Sequence, residues 1–193
     1  VKNLLKFYKI KRGLEIHYDG DLPARSGMGS SSCFTVGLMK ALNTLHKKKD
    51  ISPNKLAKNA IYFEQKIMNE IVGSQDQIAA SVGGFNKIIF KNRNKFLIKK
   101  INKQNQIKKL EKNLILIYTG INRPAHKIAS TYVSKLSYSK KNYIKDICEH
   151  VSEGEWLLNS GHLDDFGKLL NHAWYLKKKL SPSITNKKID DLY

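Results

Sequence analysis

Residues 24–34 read ARSGMGSSSCF, with Gly27 and Gly29 separated by Met28 and followed without a break by Ser30, Ser31 and Ser32. Glycines permit positive φ and let backbone N–H groups approach a ligand, and a helix N-terminus adds unpaired N–H groups and a partial positive charge. Such a turn could cradle a phosphate, and the serine hydroxyls could cap the helix or ligate a cation that bridges phosphates. It matches neither the Walker A loop nor the dinucleotide fingerprint, so a simple capped turn fits the same residues. The second chemistry-bearing stretch is EQKIMNEIVGSQDQIAASVGGFN, where Asp76 follows Glu64 by twelve positions and is flanked by Gln75 and Gln77. Two carboxylates beside a Gly-containing turn suit phosphoryl transfer, one holding a metal and the other receiving a hydroxyl proton. Taken singly, Glu64 also reads as surface salt-bridge material and Asp76 as a cap or turn former.

Elements must position these groups. Alternation in LEIHYDGDLP predicts a strand with Leu14, Ile16 and Tyr18 on one face, stopped at Asp19, Gly20 and Pro23. From Phe34 the series Phe34, Leu38, Ala41, Leu42, Leu45 predicts a helix that places the glycine-serine turn at its N-terminus. The next helix opens at Ser52 as N-cap with Pro53 in its first turn, buries Leu56, Ala60, Phe63 and Ile67, and ends at Gly73. Asp76 then falls in the following loop. GGFNKIIF and KFLIKKI predict two strands around a turn at 91–94, and NLILIYTG a nearly continuous apolar strand of the buried kind. Helices are expected from Ala125 to Glu149 and from His162 to Leu180, with Trp156 and Trp174 in the core, and NKQNQ at 102–106 as a surface loop or domain junction. The fold class expected is α/β, with helices on a mixed sheet in a first domain.

Composition narrows the function classes. With 193 residues, 41% of them hydrophobic, the chain can bury a real core. Two cysteines, Cys33 and Cys148, are too few for a disulfide framework, Cys33 is expected to pack rather than react, and no run is long and apolar enough to span a bilayer. The first residues lack a signal-peptide pattern, and a cytoplasmic setting without membrane partners is the expectation. The formal charge of +19, from 35 Lys and Arg against 16 Asp and Glu, is spread through lysine pairs and triplets. No arginine-rich arm or aromatic-interleaved sheet motif accompanies it, so the excess reads as a solvated surface and not as a nucleic-acid footprint. His17 and His126 lack the clustered spacing of a metal site. Arg123, just after the NLILIYTG strand, stands where α/β folds often contact ligands.

PARSGMGSSSCFTVGLMKAL resembles the phosphate-binding motif of the GHMP kinases, P-x-x-x-G-L-G-S-S-[SA], with Met28 at the Leu position. IVGSQDQIAASVGGFN, LIYTGINRPAHKI and LKKKLSPSITNKKIDDLY are similar to blocks of the branch that phosphorylates heptose 7-phosphate, so that the resemblance runs over nearly the whole chain. It implies an ATP- and Mg²⁺-dependent sugar kinase acting on the anomeric hydroxyl of D-glycero-D-manno-heptose 7-phosphate to give the 1,7-bisphosphate, in nucleotide-heptose and surface-glycan synthesis. The implied fold is an α+β two-layer GHMP type. Residues 1–108 would form a first domain like domain 2 of ribosomal protein S5, and 109–193 the start of a ferredoxin-like second domain. By the same resemblance Gly27, Met28, Gly29, Ser30, Ser31 and Ser32 would wrap the nucleotide phosphates. Ser30 or Ser31 would join Glu64 on Mg²⁺ and Asp76 would be the catalytic aspartate; Arg123, from its place after a strand end, with Arg25 and Gln75, is a candidate for contact with the sugar substrate. A homodimer is compatible with this reading. The family's Gly-rich N-terminal strand motif, with its Arg or Lys, and its C-terminal Gly-rich block have no counterpart in these residues. The expectation is therefore a fragment, marginally folded and slow as a kinase. The alternatives are an inactive remnant or another GHMP sugar kinase of galactokinase or fucokinase type.

Overall fold

The computed structural model describes residues 1–21, 26–47, 50–91, 95–121, 125–133, 136 and 138–193. The expected turn residues 92–94, and Arg25 and Arg123, lie outside them. The chain divides into two compact units, one of Val1–Gly83 with Gly120–Lys127 and one of Gly84–Thr119 with Ile128–Tyr193. The β-hairpin, expected in a first domain ending at 108, belongs to the second unit.

The first unit is helical among its described residues: α1 (Lys2–Phe7), α2 (Ser30–Lys47), α3 (Pro53–Tyr62), a π-helical turn (Phe63–Ile67) and α4 (Gln75–Val82). Ser52 is the N-cap residue of α3, extended in backbone and without a side-chain cap bond, its C=O accepting from Leu56 N–H at 2.9 Å, and Pro53 occupies the first position, where a missing N–H costs nothing. Apolar residues at helical spacing then join one core of Leu4, Tyr8, Val36, Leu38, Met39, Leu42, Leu56, Ala60 and Phe63. Of the α2 series expected to face inward, Leu38 and Leu42 are buried, but Leu45 is 46% exposed, and Val36 and Met39 take its place in the core. Ile67, expected to be buried, is exposed. The second helix also stops short of Gly73: α3 gives way to the π turn after Tyr62, and Asn69 at φ +56° turns the chain.

Residues 13–20 carry no β-ladder, contrary to the strand expected there, and Ile16 and Tyr18 are exposed. Alternation signals a face that could be buried, whereas a strand exists only when a neighbour takes up its N–H and C=O groups. Tyr18 instead sets its ring edge-on to Phe34, 4.9 Å between centroids.

The second unit holds the expected hairpin, β1 (Asn86–Lys91) paired antiparallel with β2 (Lys95–Lys100) in the register Asn86 with Lys100 and Ile88 with Ile98. Around it come α5 (Gln104–Lys112), α6 (Ala125–Ser130, its first residues belonging to the other unit), α7 (Lys141–Ser160), α8 (Leu163–Lys178), a 3₁₀ turn (Pro182–Ile184) and α9 (Lys187–Leu192). NKQNQ is thus largely the start of α5, and the single helix expected from Ala125 to Glu149 is two. Leu114–Tyr118, expected as a buried strand, is exposed and carries no ladder, with Ile115 86% accessible. Its composition favours burial, yet the sheet of the described residues ends at the hairpin and offers it no pairing. Trp156 is exposed too, because α7 buries Gly154, Leu157 and Leu158; the indole lies off that stripe and stacks on His162. Trp174 is half-buried.

Glu155 ties hairpin to helix. Its carboxylate accepts from Lys87 Nζ at 2.7 Å and Lys99 Nζ at 2.5 Å, with 14% of its side chain exposed. The hydrogen bond from Lys87, then that from Lys99, holds its carboxyl below the ordinary value of 4.5. A depressed carboxyl contributes stability at pH above that value and loses it as pH falls through the lower, folded-state value. Denaturant unfolding followed from pH 7 into the acid range should therefore show a loss below about pH 4.5 that E155Q lacks. Parallel pH profiles for the two proteins would remove the ion pairs from the stability of this unit.

Candidate active site

The glycine-serine turn does sit at a helix N-terminus. Gly27 and Gly29 have φ of +83° and +71°, in the left-handed region that glycine adopts without strain. Cys33 N–H donates to Gly29 C=O at 3.0 Å, which makes Gly29 the N-cap of α2. The N–H groups of Ser30, Ser31 and Ser32 then belong to the first turn and have no intrahelical acceptor. No acidic residue occupies that turn, so its positive end is not countered from within the helix. Met28 is exposed, Ser30 half-buried and Ser31 exposed, while Ser32 is buried.

Glu64 lies in the π turn, a conformation that recurs at functional sites. It is 2% exposed, among the least accessible carboxylates of the chain. Ser32 Oγ donates to its Oε2 at 2.9 Å, and Gln77 Nε2 donates to the same oxygen. The serine hydrogen-bonded to Glu64 is therefore Ser32, not the Ser30 or Ser31 expected to share a metal with it. The other oxygen, Oε1, is buried with no hydrogen-bond partner among the described residues. A buried lone carboxylate oxygen is costly unless a donor or a cation meets it. Glu64 also lines, with Ser31, a cleft of about 270 Å³ bounded by Asn3, Phe34, Phe63 and Glu70. The donor set fits a hard divalent cation: a carboxylate oxygen with an open partner, and serine hydroxyls in the first turn of α2.

Asp76 is in the first turn of α4 and not in a loop. Gln65 fixes the approach to it, its Nε2 donating to Val72 C=O at 3.0 Å and Ser74 Oγ at 3.2 Å. α4 packs on both α2 and α3, and that brings the Asp76 carboxylate onto the glycine turn. A methyl group at Gly29 would lie 3.2 Å from Asp76 Cγ and 3.3 Å from its Oδ2. Gln75 is exposed beside it. The described geometry thus joins Gly29, Ser32, Glu64, Asp76 and Gln77 within one unit, and Arg25 and Arg123 lie outside the described residues. Gln77, noted in the sequence only as a neighbour of Asp76, is the member given no role there. At 1% exposure it is a buried polar residue at the inward helical position next to Ile78, and a Gln at an apolar-spaced position of α4 was its only signal in the sequence.

Comparison with known proteins bears on what this arrangement is. The family model described as the GHMP kinases N terminal domain matches residues 1–84. D-glycero-alpha-D-manno-heptose 7-phosphate kinase from Campylobacter jejuni is 29% identical over 192 residues, 97% of this chain and 56% of that protein. The bifunctional fucokinase/GDP-fucose pyrophosphorylase of Arabidopsis thaliana is 26% identical over 94% of the chain and 18% of its own length. The crystal structure of a D-glycero-D-manno-heptose 1-phosphate kinase from Bacteroides thetaiotaomicron superposes with a TM-score of 0.70 at 23% identity, covering 92% of this chain and 54% of that one. The structural likeness places the chain in the same α/β fold. The chain spans little more than half the length of the heptose kinase it matches.

Proposed function

Because residues 1–84 match the family model of the GHMP kinases N terminal domain, we propose that the chain serves an ATP-dependent sugar kinase whose acceptor is the anomeric hydroxyl of a heptose 7-phosphate. The observation that carries this reading is the apposition of Asp76 to Gly29, an exposed carboxylate against a helix N-terminus, the kind of backbone that suits a phosphate. In this reading the first-turn N–H groups of α2 bind the nucleotide phosphates, and the positive φ of Gly27 and Gly29 lets them approach without a side chain between. The Asp76 carboxylate takes the proton of the acceptor hydroxyl as that oxygen attacks the γ-phosphorus and the bond to the β-phosphate oxygen breaks. Glu64, oriented by Ser32 and Gln77, would hold Mg²⁺ through its Oε1. Bound there, Mg²⁺ would neutralise charge on the transferring phosphoryl group. Arg25, Gln75 and Arg123 are proposed for the sugar phosphate, and the product would supply nucleotide-heptose synthesis in the cytoplasm.

The acceptor is tested by coupled ADP release with ATP, Mg²⁺ and, in turn, heptose 7-phosphate, fucose and galactose. Turnover confined to the heptose phosphate supports the proposal; preference for fucose or galactose makes the protein a different GHMP sugar kinase, and no turnover with any supports an inactive remnant. Glu64→Gln isolates the metal role. The amide carbonyl introduced by that substitution can still accept from Ser32 Oγ, so the melting curve should hold within a few degrees while the Mg²⁺ concentration for half-maximal rate rises on the order of tenfold or more. An unchanged Mg²⁺ titration would take Glu64 off the metal.

A further inference from the structure

His150 on α7 and His172 on α8 are not used by the proposed kinase site, and they meet across the helix pair. His150 Nε2 lies 3.0 Å from His172 Nδ1, with ring centroids 4.9 Å apart and planes inclined by 45°. The backbone beneath them is fixed by close helix packing. Gly154, one turn after His150, is buried, and a Cβ there would stand 3.3 Å from Phe166 and 3.4 Å from Leu169, which itself lies one turn before His172. No side chain at 154 holds the helices apart, so the two imidazoles are set by two rigid elements and not by loops.

We propose that this pair is a binding site for a late first-row divalent cation such as Zn²⁺ or Ni²⁺. Neutral imidazole is a preferred ligand for these ions, at metal–nitrogen distances of about 2.0–2.1 Å. Two such bonds place their nitrogens about 2.9 Å apart at a right angle and about 3.3 Å apart at the tetrahedral angle, and the 3.0 Å seen here falls between. The pair is reachable, His172 being exposed and His150 half-buried. The nearest cation on α8, Lys168 one turn before His172, is already held by Asp165 at 2.9 Å, which lowers its repulsion of a metal ion. On α7, Asp146 and Glu153 stand one turn to either side of His150 and add negative potential. No group of three or more His, Cys, Asp or Glu suited to a metal occurs among the described residues, so water fills the remaining positions. Binding displaces the proton between the rings to the other nitrogen of its own imidazole, so that both ligands remain neutral and no net proton is lost.

The test is a Ni²⁺ titration of the whole chain followed by NMR of the imidazole protons, with Zn²⁺ calorimetry for stoichiometry. The chain has six histidines. His150 and His172 should broaden first and together, ahead of His17, His46, His126 and His162, Zn²⁺ should bind with one equivalent at this site, and the metal should raise the melting temperature. H150Q and H172Q should each weaken binding on the order of tenfold or more with unchanged helical circular dichroism, which keeps loss of binding distinct from loss of fold. Simultaneous broadening of all six histidines, or wild-type affinity in H172Q, would reduce the pair to a hydrogen bond. These readouts need no kinase activity, so failure here and failure of the kinase assignment are separable.

Discussion

Asp76→Asn is expected to lower kcat by about 10²- to 10⁴-fold, the usual share of a positioned general base, while nucleotide affinity is kept. Asparagine matches aspartate in shape, and the side chain is exposed at the start of α4, so the substitution leaves the packing of α4 on α2 and α3 intact. It removes the charge and the proton-accepting capacity where an acceptor hydroxyl would meet the γ-phosphate. Loss of a carboxylate beside the α2 N-terminus also removes some repulsion of phosphate, so ATP affinity should stay the same or rise. Single-turnover phosphorylation measured beside a nucleotide-binding isotherm separates the two effects. Equal turnover in the mutant would take Asp76 out of the chemistry, and a parallel loss of nucleotide affinity would make it a binding residue.

Gly29→Ala should have the second largest effect, and on both arms of the site at once. An L-residue at φ +71° is strained by about 1–2 kcal/mol, and its methyl would press on the Asp76 carboxylate at 3.2–3.3 Å. The far end of a side chain can yield by a few tenths of an ångström, so the unit should still fold, with a melting temperature lowered by several degrees. The glycine turn and the carboxylate must then separate, and kcat/KM should fall by up to about 10²-fold, the cost of a misplacement of about 1 Å between reacting groups. A double-mutant cycle reads the coupling. If Gly29→Ala acts on turnover by displacing Asp76, its effect on kcat should largely vanish in the Asp76→Asn background, leaving the effect on the KM for ATP. Full additivity of the two changes would mean that Gly29 and Asp76 act independently, against the geometry proposed.

Local patterns determined much of this protein before any tertiary contact was known. The glycine-serine turn at the start of a helix, the Ser52-Pro53 start of α3, the 86–100 hairpin and α8 were all legible, because caps, turn residues and hydrophobic period act within a few residues of themselves. That Glu64 and Asp76 belong near the glycine-serine turn was an expectation from motif resemblance and not from spacing alone, and Glu64 is found against Ser32 and Asp76 against Gly29. Tertiary structure decided what depends on a distant partner. LEIHYDG and NLILIY have strand composition, but a strand requires a neighbour's backbone, and neither finds one among the described residues. The period of α7 did not reveal which side of Trp156 would face the core, since that follows from the close approach of α8 at Gly154. Likewise the motif offered three consecutive serines, whose hydroxyls are chemically equivalent in sequence. The packing of the π turn and α4 against α2 selected Ser32 as the partner of Glu64 and brought in Gln77 from thirteen positions away. Consecutive residues on a helix point about 100° apart, so only the position of the neighbouring helix determines which hydroxyl meets the carboxylate.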